Sequence, residues 1–227
     1  MTAPIAGNIP GASATVVAVH VGRARPLGAE GVLSGFVKGA IQGRVHVGAL
    51  GLEGDEQADL RVHGGVDKAV YAYGVGNYPA WRADFPEHAA LFVPGGVGEN
   101  LPMLGFDEHQ VCIGDEHLVG SALLTVCQPR QPCYKFALRF NDPRVVHAMT
   151  RNGRCGWYYR VSREGELAAG DTVQLVARPN PQWTVARFAA LQARHGFRAA
   201  EWRELATLPG LAGQWRAKAL ALSAGEQ

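Results

Sequence analysis

Apolar and polar positions along the chain alternate in short runs. Ala14 to Val21 is a β-branched run and predicts a first strand. Short strands are likewise predicted at Arg44–Val47, Ala69–Tyr73, Gln110–Ile113, His117–Val119, Ala122–Val126, Gly156–Val161 and Thr172–Ala177. Glycine-bearing turns such as Gly114-Asp115 and Ala169-Gly170-Asp171 separate several of them. Many short strands with closely spaced turn signals predict an all-β barrel or sandwich. Two helices interrupt this pattern. Asn77–Phe85 has Asn77 as a cap and Pro79 in its first turn, with Trp81 and Phe85 on one face. Asp142–Thr150 has Asp142 as a cap, Pro143 at its start, and Val146 and Met149 on a shared face.

The periodicity changes after Arg178-Pro179-Asn180-Pro181, which reads as a linker. Beyond it, Thr184–Arg194, Arg198–Leu208 and Leu211–Leu222 are helical patterns rich in Ala, Leu and Arg, with Thr184 as a cap. The expected organisation is a mainly β domain over residues 14–178 and a small three-helix domain over residues 181–227. From Pro181 onward the chain carries six Lys or Arg and three Glu without a clustered basic face, so an appendage or docking module is favoured over DNA binding.

The 227 residues are enough for one large domain, or one domain with a small appendage. A net charge of +2 gives no general case for nucleic acid or membrane partners. Met1–Pro10 lacks a basic segment followed by an apolar one, and no apolar run approaches the ~18 residues of a membrane span. A cytoplasmic protein is expected, with reduced cysteines. Cys112, Cys127, Cys133 and Cys155 form no C-x-x-C pair, so no structural zinc site is expected. Ser121 lacks a nucleophile-elbow context, and the glycines match neither a Walker nor a Rossmann fingerprint.

Four stretches carry candidate chemistry. Gln128-Pro129-Arg130-Gln131-Pro132-Cys133-Tyr134-Lys135 holds one cysteine between stiffening prolines and two cations. Positive charge favours thiolate, which is a nucleophile or a soft metal ligand. The alternative is a buried cysteine in an ordinary turn. His63-Gly64-Gly65 pairs an imidazole with backbone able to approach a ligand, and Asp59 and Asp67 can position His63, Arg61 or Lys68. The alternative is a solvated loop. Gly98-Glu99-Asn100 suits hydrogen bonding to a planar heterocycle, or the orienting of a loop. Gly51-Leu52-Glu53-Gly54-Asp55, alone, reads as a structural turn. Cys112 and Cys127 lie in apolar patterns and read as core; Cys155 is expected to be an exposed, secondary thiol.

Taken in order, Gly51–Asp55, His63-Gly64-Gly65 with Asp67-Lys68-Ala69-Val70, Gly98-Glu99-Asn100-Leu101 and Gln128–Lys135 resemble the motifs of MOSC-domain proteins. MOSC names the C-terminal domain of molybdenum cofactor sulfurases. The resemblance covers about Val16 to Val176 and is nearest to the stand-alone YiiM-like branch, whose three-helix appendage the C-terminal helices resemble. Where that branch usually has an aromatic before Gly-Glu-Asn, this chain has Val97.

The resemblance implies a closed, mixed β-barrel, similar to the pyruvate-kinase β-barrel, that holds the molybdenum cofactor. It implies Cys133 as molybdenum ligand and reduction of N-hydroxylated small molecules, of the 6-hydroxylaminopurine type, to amines, a detoxification. A flavin- or iron–sulfur-type reductase would supply electrons. Within this frame Arg130, Lys38 and Lys68 are candidates for the cofactor phosphate. Gly64 and Gly65 can offer backbone N–H groups, Gly98 and Gln128 can line the cofactor site, and Asn100 can bond the pterin edge. Glu99 or His63 can relay a proton. The rival within the family is a sulfur carrier with a persulfide on Cys133; outside it, a non-catalytic binding module. No Schiff-base motif supports pyridoxal phosphate. The helices are expected to serve a homodimer or a lid.

Overall fold

The computed structural model describes residues 13–59, 64–193 and 198–225. The strands are β1 Ser13–Val16, β2 Val19–Val21, β3 Arg25–Leu27, β4 Val32–Ser34, β5 Gly39–Ile41, β6 Val45–Gly48, β7 Gly51–Leu52, β8 Val70–Gly74, β9 Leu101–Leu104, β10 Glu116–Val119, β11 Ala122–Pro129, β12 Trp157–Arg163, β13 Gly165–Leu167 and β14 Thr172–Ala177. Alternation drives several of them: β1 buries Ala14 and Val16, and β10 buries His117 and Val119. β8 is buried along its whole length and reads as a continuous apolar run.

Seven strands close a barrel in the order β1-β14-β10-β11-β12-β8-β9, the ring completed by β9 against β1. All pairings are antiparallel except β8 with β9. Closure removes the exposed sheet edge. This is the closed, mixed barrel that the family resemblance implies, and it decides between barrel and sandwich. β6 pairs with β7 and β13, β2 with β5, and β3 with β4, as ribbons beside the barrel.

The expected first strand, Ala14–Val21, divides in two. The chain leaves the barrel after Val16, and β2 pairs elsewhere, with β5. Both pieces bury valines, so the apolar run carries no mark of the break. The strand expected at Gln110–Ile113 is reduced to a bridge between Cys112 and Thr184. Carboxylates take over its backbone: Asp107 Oδ1 accepts from His109 and Gln110 N–H at 2.8 and 3.1 Å, and Asp115 Oδ2 accepts from Cys112 N–H at 2.9 Å. β11 runs past its expected end at Val126 to Pro129, with an irregular register against β12 near Gln128. A proline is tolerated at that strand end.

The helix Tyr78–Asp84 buries Trp81, stacked on Phe92 at 5.1 Å. Asn77 does not cap it; its Nδ2 donates to both Glu108 oxygens. Asp142 does serve the helix Arg144–Asn152, accepting from Arg144 N–H at 2.9 Å. The C-terminal helices are Val185–Ala193, Ala199–Thr207 and Gly213–Ala224, and Thr184 Oγ1 accepts from Arg187 N–H at 3.0 Å in the first.

The stretch read as a linker is a packed joint. Arg178 binds Asp115, Asn180 Nδ2 donates to the carbonyls of Ile113 and Pro209, and Trp183 is fully buried. One apolar cluster runs from Val16 in the barrel to Trp215 and Ala219 in the last helix. No described helix is long and apolar enough to cross a membrane.

Candidate functional site

β11 ends at Pro129, and Arg130 follows directly. The loop then presents Cys133 at the start of the helix Tyr134–Phe140. This arrangement builds one wall of an open cleft. Phe36, Lys38, Asp55, Lys68, Tyr71, Gly98, Asn100, Lys135 and Tyr158 complete most of the rest. Two of the other three motif stretches, Gly98–Asn100 and Gln128–Lys135, thus converge with the turn at Gly51–Asp55, which adds the carboxylate of Asp55, while Lys68 reaches the wall from beyond the third.

Arg130 is the electrostatic centre. Its side chain is 5% exposed, and its guanidinium lies over the rings of Tyr71, Phe136 and Phe36 at 5.3, 5.5 and 5.7 Å. Nη1 lies 3.3 Å from Met149 Sδ. Among the described residues it forms no ion pair with a carboxylate. Burial opposes its charge, yet the acidic groups around it, Tyr71 first and Cys133 next, hold its pKa above the usual value. A buried cation without a carboxylate is costly in the absence of an anion.

The other cations differ. Lys38 is buried and paired with Asp55, whose oxygens also accept from Gly22 N–H at 2.8 Å and Asn100 Nδ2 at 2.9 Å. Much of its charge is therefore already matched. Lys135 Nζ donates to the Leu33 carbonyl at 3.0 Å. Burial lowers the pKa of Lys68, at the end of the turn Val66–Lys68.

The amide of Asn100 is largely committed. Oδ1 accepts from Tyr71 N–H at 3.0 Å, and Nδ2 donates to the His20 carbonyl and to Asp55. Its side chain lines the cleft, but its hydrogen bonds join β2, β8 and the Asp55 turn. Glu99 is fully buried and absent from the cleft wall. It accepts from Tyr78 Oη, from Gly95 N–H at 2.6 Å and from Val97 N–H at 3.2 Å. Burial pushes its pKa up to about 7. Gly98 has φ +86°, and a Cβ there would lie 3.1 Å from the Phe36 ring, so glycine lets that ring close on the loop.

Gln128 ties elements together. Nε2 donates to the Asp67 carbonyl at 2.7 Å, and Oε1 accepts from Gln214 and Trp215 in the last helix. Gly65, with φ +92°, opens the turn that ends at Lys68, and neither Gly64 nor Gly65 is in the cleft wall. His63 lies outside the described residues, as does Arg61. Cys112 and Cys127 are buried, as expected. Cys155 is a correction: it is 3% exposed, and burial raises its thiol pKa. The reason is the positive φ of Gly156, which turns the chain inward against β8. Cys133 is the only half-exposed cysteine of the four.

Residue chemistry missed Phe36, Tyr71 and Tyr158. Each reads in sequence as core, and only the barrel's closure shows that one face of each ring meets the cleft. Elsewhere, Glu87, His88 and Asp142 cluster, but Arg144 already binds both carboxylates.

A MOSC domain model matches residues 59–174, and a YiiM-like three-α-helix domain model matches residues 183–222. Protein YiiM of Escherichia coli (strain K12) is 38% identical over 186 residues, 82% of this chain and 83% of that protein. A protein named Reductase from Gibberella moniliformis is 41% identical over 162 residues; the match takes in 69% of this chain but only 29% of that longer protein. The solved structure of YiiM from Geobacillus stearothermophilus superposes with a TM-score of 0.79 at 29% identity, covering 92% of this chain and 99% of that one. YiiM from Escherichia coli gives 0.77 at 32% identity, covering 90% and 94%. Barrel, helices and matched motifs agree: this chain belongs to the MOSC-domain family, in its YiiM-like branch.

Proposed function

We propose that the chain is a molybdenum-cofactor-dependent reductase of N-hydroxylated compounds. The observation that carries this reading is Arg130, a buried guanidinium without a carboxylate partner among the described residues, beside the half-exposed Cys133 in one cleft. Such a pair fits an anionic cofactor that also needs a soft ligand. The relative named Reductase supports the reaction class.

The reaction is R–NH–OH + 2 e⁻ + 2 H⁺ → R–NH₂ + H₂O, in which the N–O bond breaks. A flavin- or iron–sulfur-type protein supplies the electrons. When bound, the cofactor supplies the two-electron redox centre. Cys133 offers the thiolate ligand. Arg130 and Lys68 would hold the anionic groups of the cofactor, with Lys38 contributing what charge Asp55 leaves. The rings of Phe36 and Tyr71 keep water from the guanidinium. Lys68, an ammonium whose pKa burial lowers, is suited to deliver a proton to the departing hydroxyl. The Glu99 carboxyl is caged behind Gly98 and holds the loop. Reduction of 6-hydroxylaminopurine-type base analogues to amines would detoxify them.

The test is elemental analysis of protein purified from a host that makes the cofactor. Near-stoichiometric molybdenum in the wild type, lost in Cys133→Ala, is the expected result. A metal-free wild type with cyanide-labile sulfur on Cys133 would establish the sulfur-carrier alternative instead.

A further inference from the structure

Arg130 lines the cleft, yet its guanidinium is covered by the rings of Tyr71, Phe136 and Phe36. Two of these rings are fixtures. Tyr71 belongs to β8 of the barrel, and its Oη donates to the Cys155 carbonyl at 2.8 Å. Phe136 is fully buried in the helix Tyr134–Phe140, edge-on to Trp81 at 6.1 Å and to Phe140 at 5.1 Å. Phe36 is different. It is half-buried and stands outside the barrel, two residues beyond β4.

An excursion of the chain carries Phe36. Val21 of β2 pairs with Gly39 of β5, so residues 22–38 leave and return at one neck. Asp55 clamps that neck: it accepts from Gly22 N–H at 2.8 Å on one side and pairs with Lys38 on the other. Between them, β3 and β4 form a hairpin that pairs with no other described strand. Of residues 25–34 only Leu27 and Ser34 are buried, and Leu33 is 52% exposed. A segment with so little apolar burial lies at the low end of local stability. Beyond the neck its attachments lie at the margins. Glu56 accepts from Ala24 N–H at 2.9 Å, and the Leu33 carbonyl accepts from Lys135 Nζ at 3.0 Å. The Phe36 ring stacks on Phe136 at 6.1 Å.

We infer that this hairpin is a gate over Arg130: it swings about the Asp55 neck, lifts Phe36 off the guanidinium to admit a phosphate-type anion, and is latched shut by Lys135 on the Leu33 carbonyl. The inference rests on the reductase reading for the identity of the anion, but the gate itself follows from burial and connectivity. A guanidinium 95% buried cannot meet an anion unless one of its covers moves, and Phe36 is the cover held outside the barrel and the core helix. The neck stays paired during the swing, so Lys38 and Asp55 keep their places in the wall. Lys135 serves the gate because its ammonium is spent on a carbonyl of the hairpin.

Phenylglyoxal, which reacts with guanidinium groups, reads the exposure of Arg130 in the cofactor-free full chain. Peptide mass mapping locates the adducts, and the exposed Arg203 is the internal reference. A Cβ on Gly28 would stand 3.5 Å from Leu138 Cβ, within disulfide reach. Gly28→Cys with Leu138→Cys therefore pins the hairpin to the core helix when oxidised and frees it when reduced. Oxidation is expected to slow modification of Arg130 at least about tenfold while Arg203 reacts as before. Lys135→Met removes the latch but leaves the cover, and is expected to speed modification at least about fivefold. Saturating inorganic pyrophosphate is expected to protect Arg130 in the wild type. Equal Arg130 rates in the oxidised and reduced pair, an unchanged rate in Lys135→Met, no protection by pyrophosphate, or an unreactive wild-type Arg130 would each overturn the gate. Residue 28 has φ +72°, which strains a cysteine there; where the pair folds poorly, Lys135→Met and pyrophosphate protection decide the matter. A wild type with gated Arg130 that takes up no molybdenum in a cofactor-producing host refutes the reductase reading and leaves the gate standing. Molybdenum uptake with an ungated Arg130 does the reverse.

Discussion

Two buried charges behave differently because their neighbours differ. Arg130 is surrounded by three aromatic rings, and these give a guanidinium modest attraction without neutralising it. Glu99 is met by three donors, and burial still outweighs them. Its pKa is about 7 in the folded chain, against an ordinary 4.5. The folded state therefore holds a proton that the unfolded state has lost between these values. The stabilisation is fully present below about pH 4.5 and falls as pH rises towards 7, by an amount on the order of 3 kcal/mol. Glu108 and Asp115 are also raised by burial and slope the same way, so the useful quantity is a difference. Urea unfolding of wild type and Glu99→Gln at several pH values should give a steeper decline in the wild type over this window. A difference between the two proteins that does not vary with pH would contradict the assignment. In the sequence, Glu99 was visible only as a carboxylate beside a flexible glycine. Its burial depends on Tyr78 and on the amides of Gly95 and Val97, and Tyr78 comes from a separate helix.

At the level of elements, the cleft depends on how irregular segments are joined. Asn100 links β2, β8 and the turn carrying Asp55, and Asp55 in turn anchors Lys38. Removing the amide strands a buried N–H on Tyr71, a carbonyl on His20 and part of the Asp55 carboxylate. Each loss of this kind costs about 1–3 kcal/mol. Asn100→Ala is expected to lose roughly 3 kcal/mol in denaturant unfolding. A loss under about 1 kcal/mol would mean that the three segments are held by something else. The motif Gly98-Glu99-Asn100 was legible as a functional marker only through its place among the ordered family motifs, since alone it suits either a ligand contact or the orienting of a loop. Which of the three faces a ligand was not legible. That depends on Gly98 at φ +86° turning the chain so that Phe36 closes over it. Several strands were read well where burial alternates or runs unbroken, as at Thr172–Ala177, which matches β14. They were misread where a side chain replaces the ladder, as Asp107 and Asp115 do near Cys112.

For the molecule as a whole, the question is whether the C-terminal helices form a separate unit. Texture along the chain marked a boundary at Arg178–Pro181, since prolines and a change of period are local signals. Packing across that boundary is not local. Trp183 is fully buried, Asn180 bonds to both sides, and the Ala212 N–H donates to the Cys127 carbonyl at 3.0 Å. Trp215 packs edge-on to Phe188 at 5.0 Å and parallel to Trp202 at 6.4 Å, while its indole N–H reaches Gln128 in β11. An appendage would melt apart from the barrel; a shared core cannot. Calorimetry is therefore expected to show one transition whose van't Hoff and calorimetric enthalpies agree. Trp215→Ala is expected to lower stability of that single transition by about 3–5 kcal/mol. Two resolved transitions, with only the smaller one moved by Trp215→Ala, would show the helices to be autonomous. Coupling of this kind ties the last helix to residues beside Cys133. A shift of the last helix reaches Gln128 directly and Lys68 through Asp67, and both line a cavity together with Cys133.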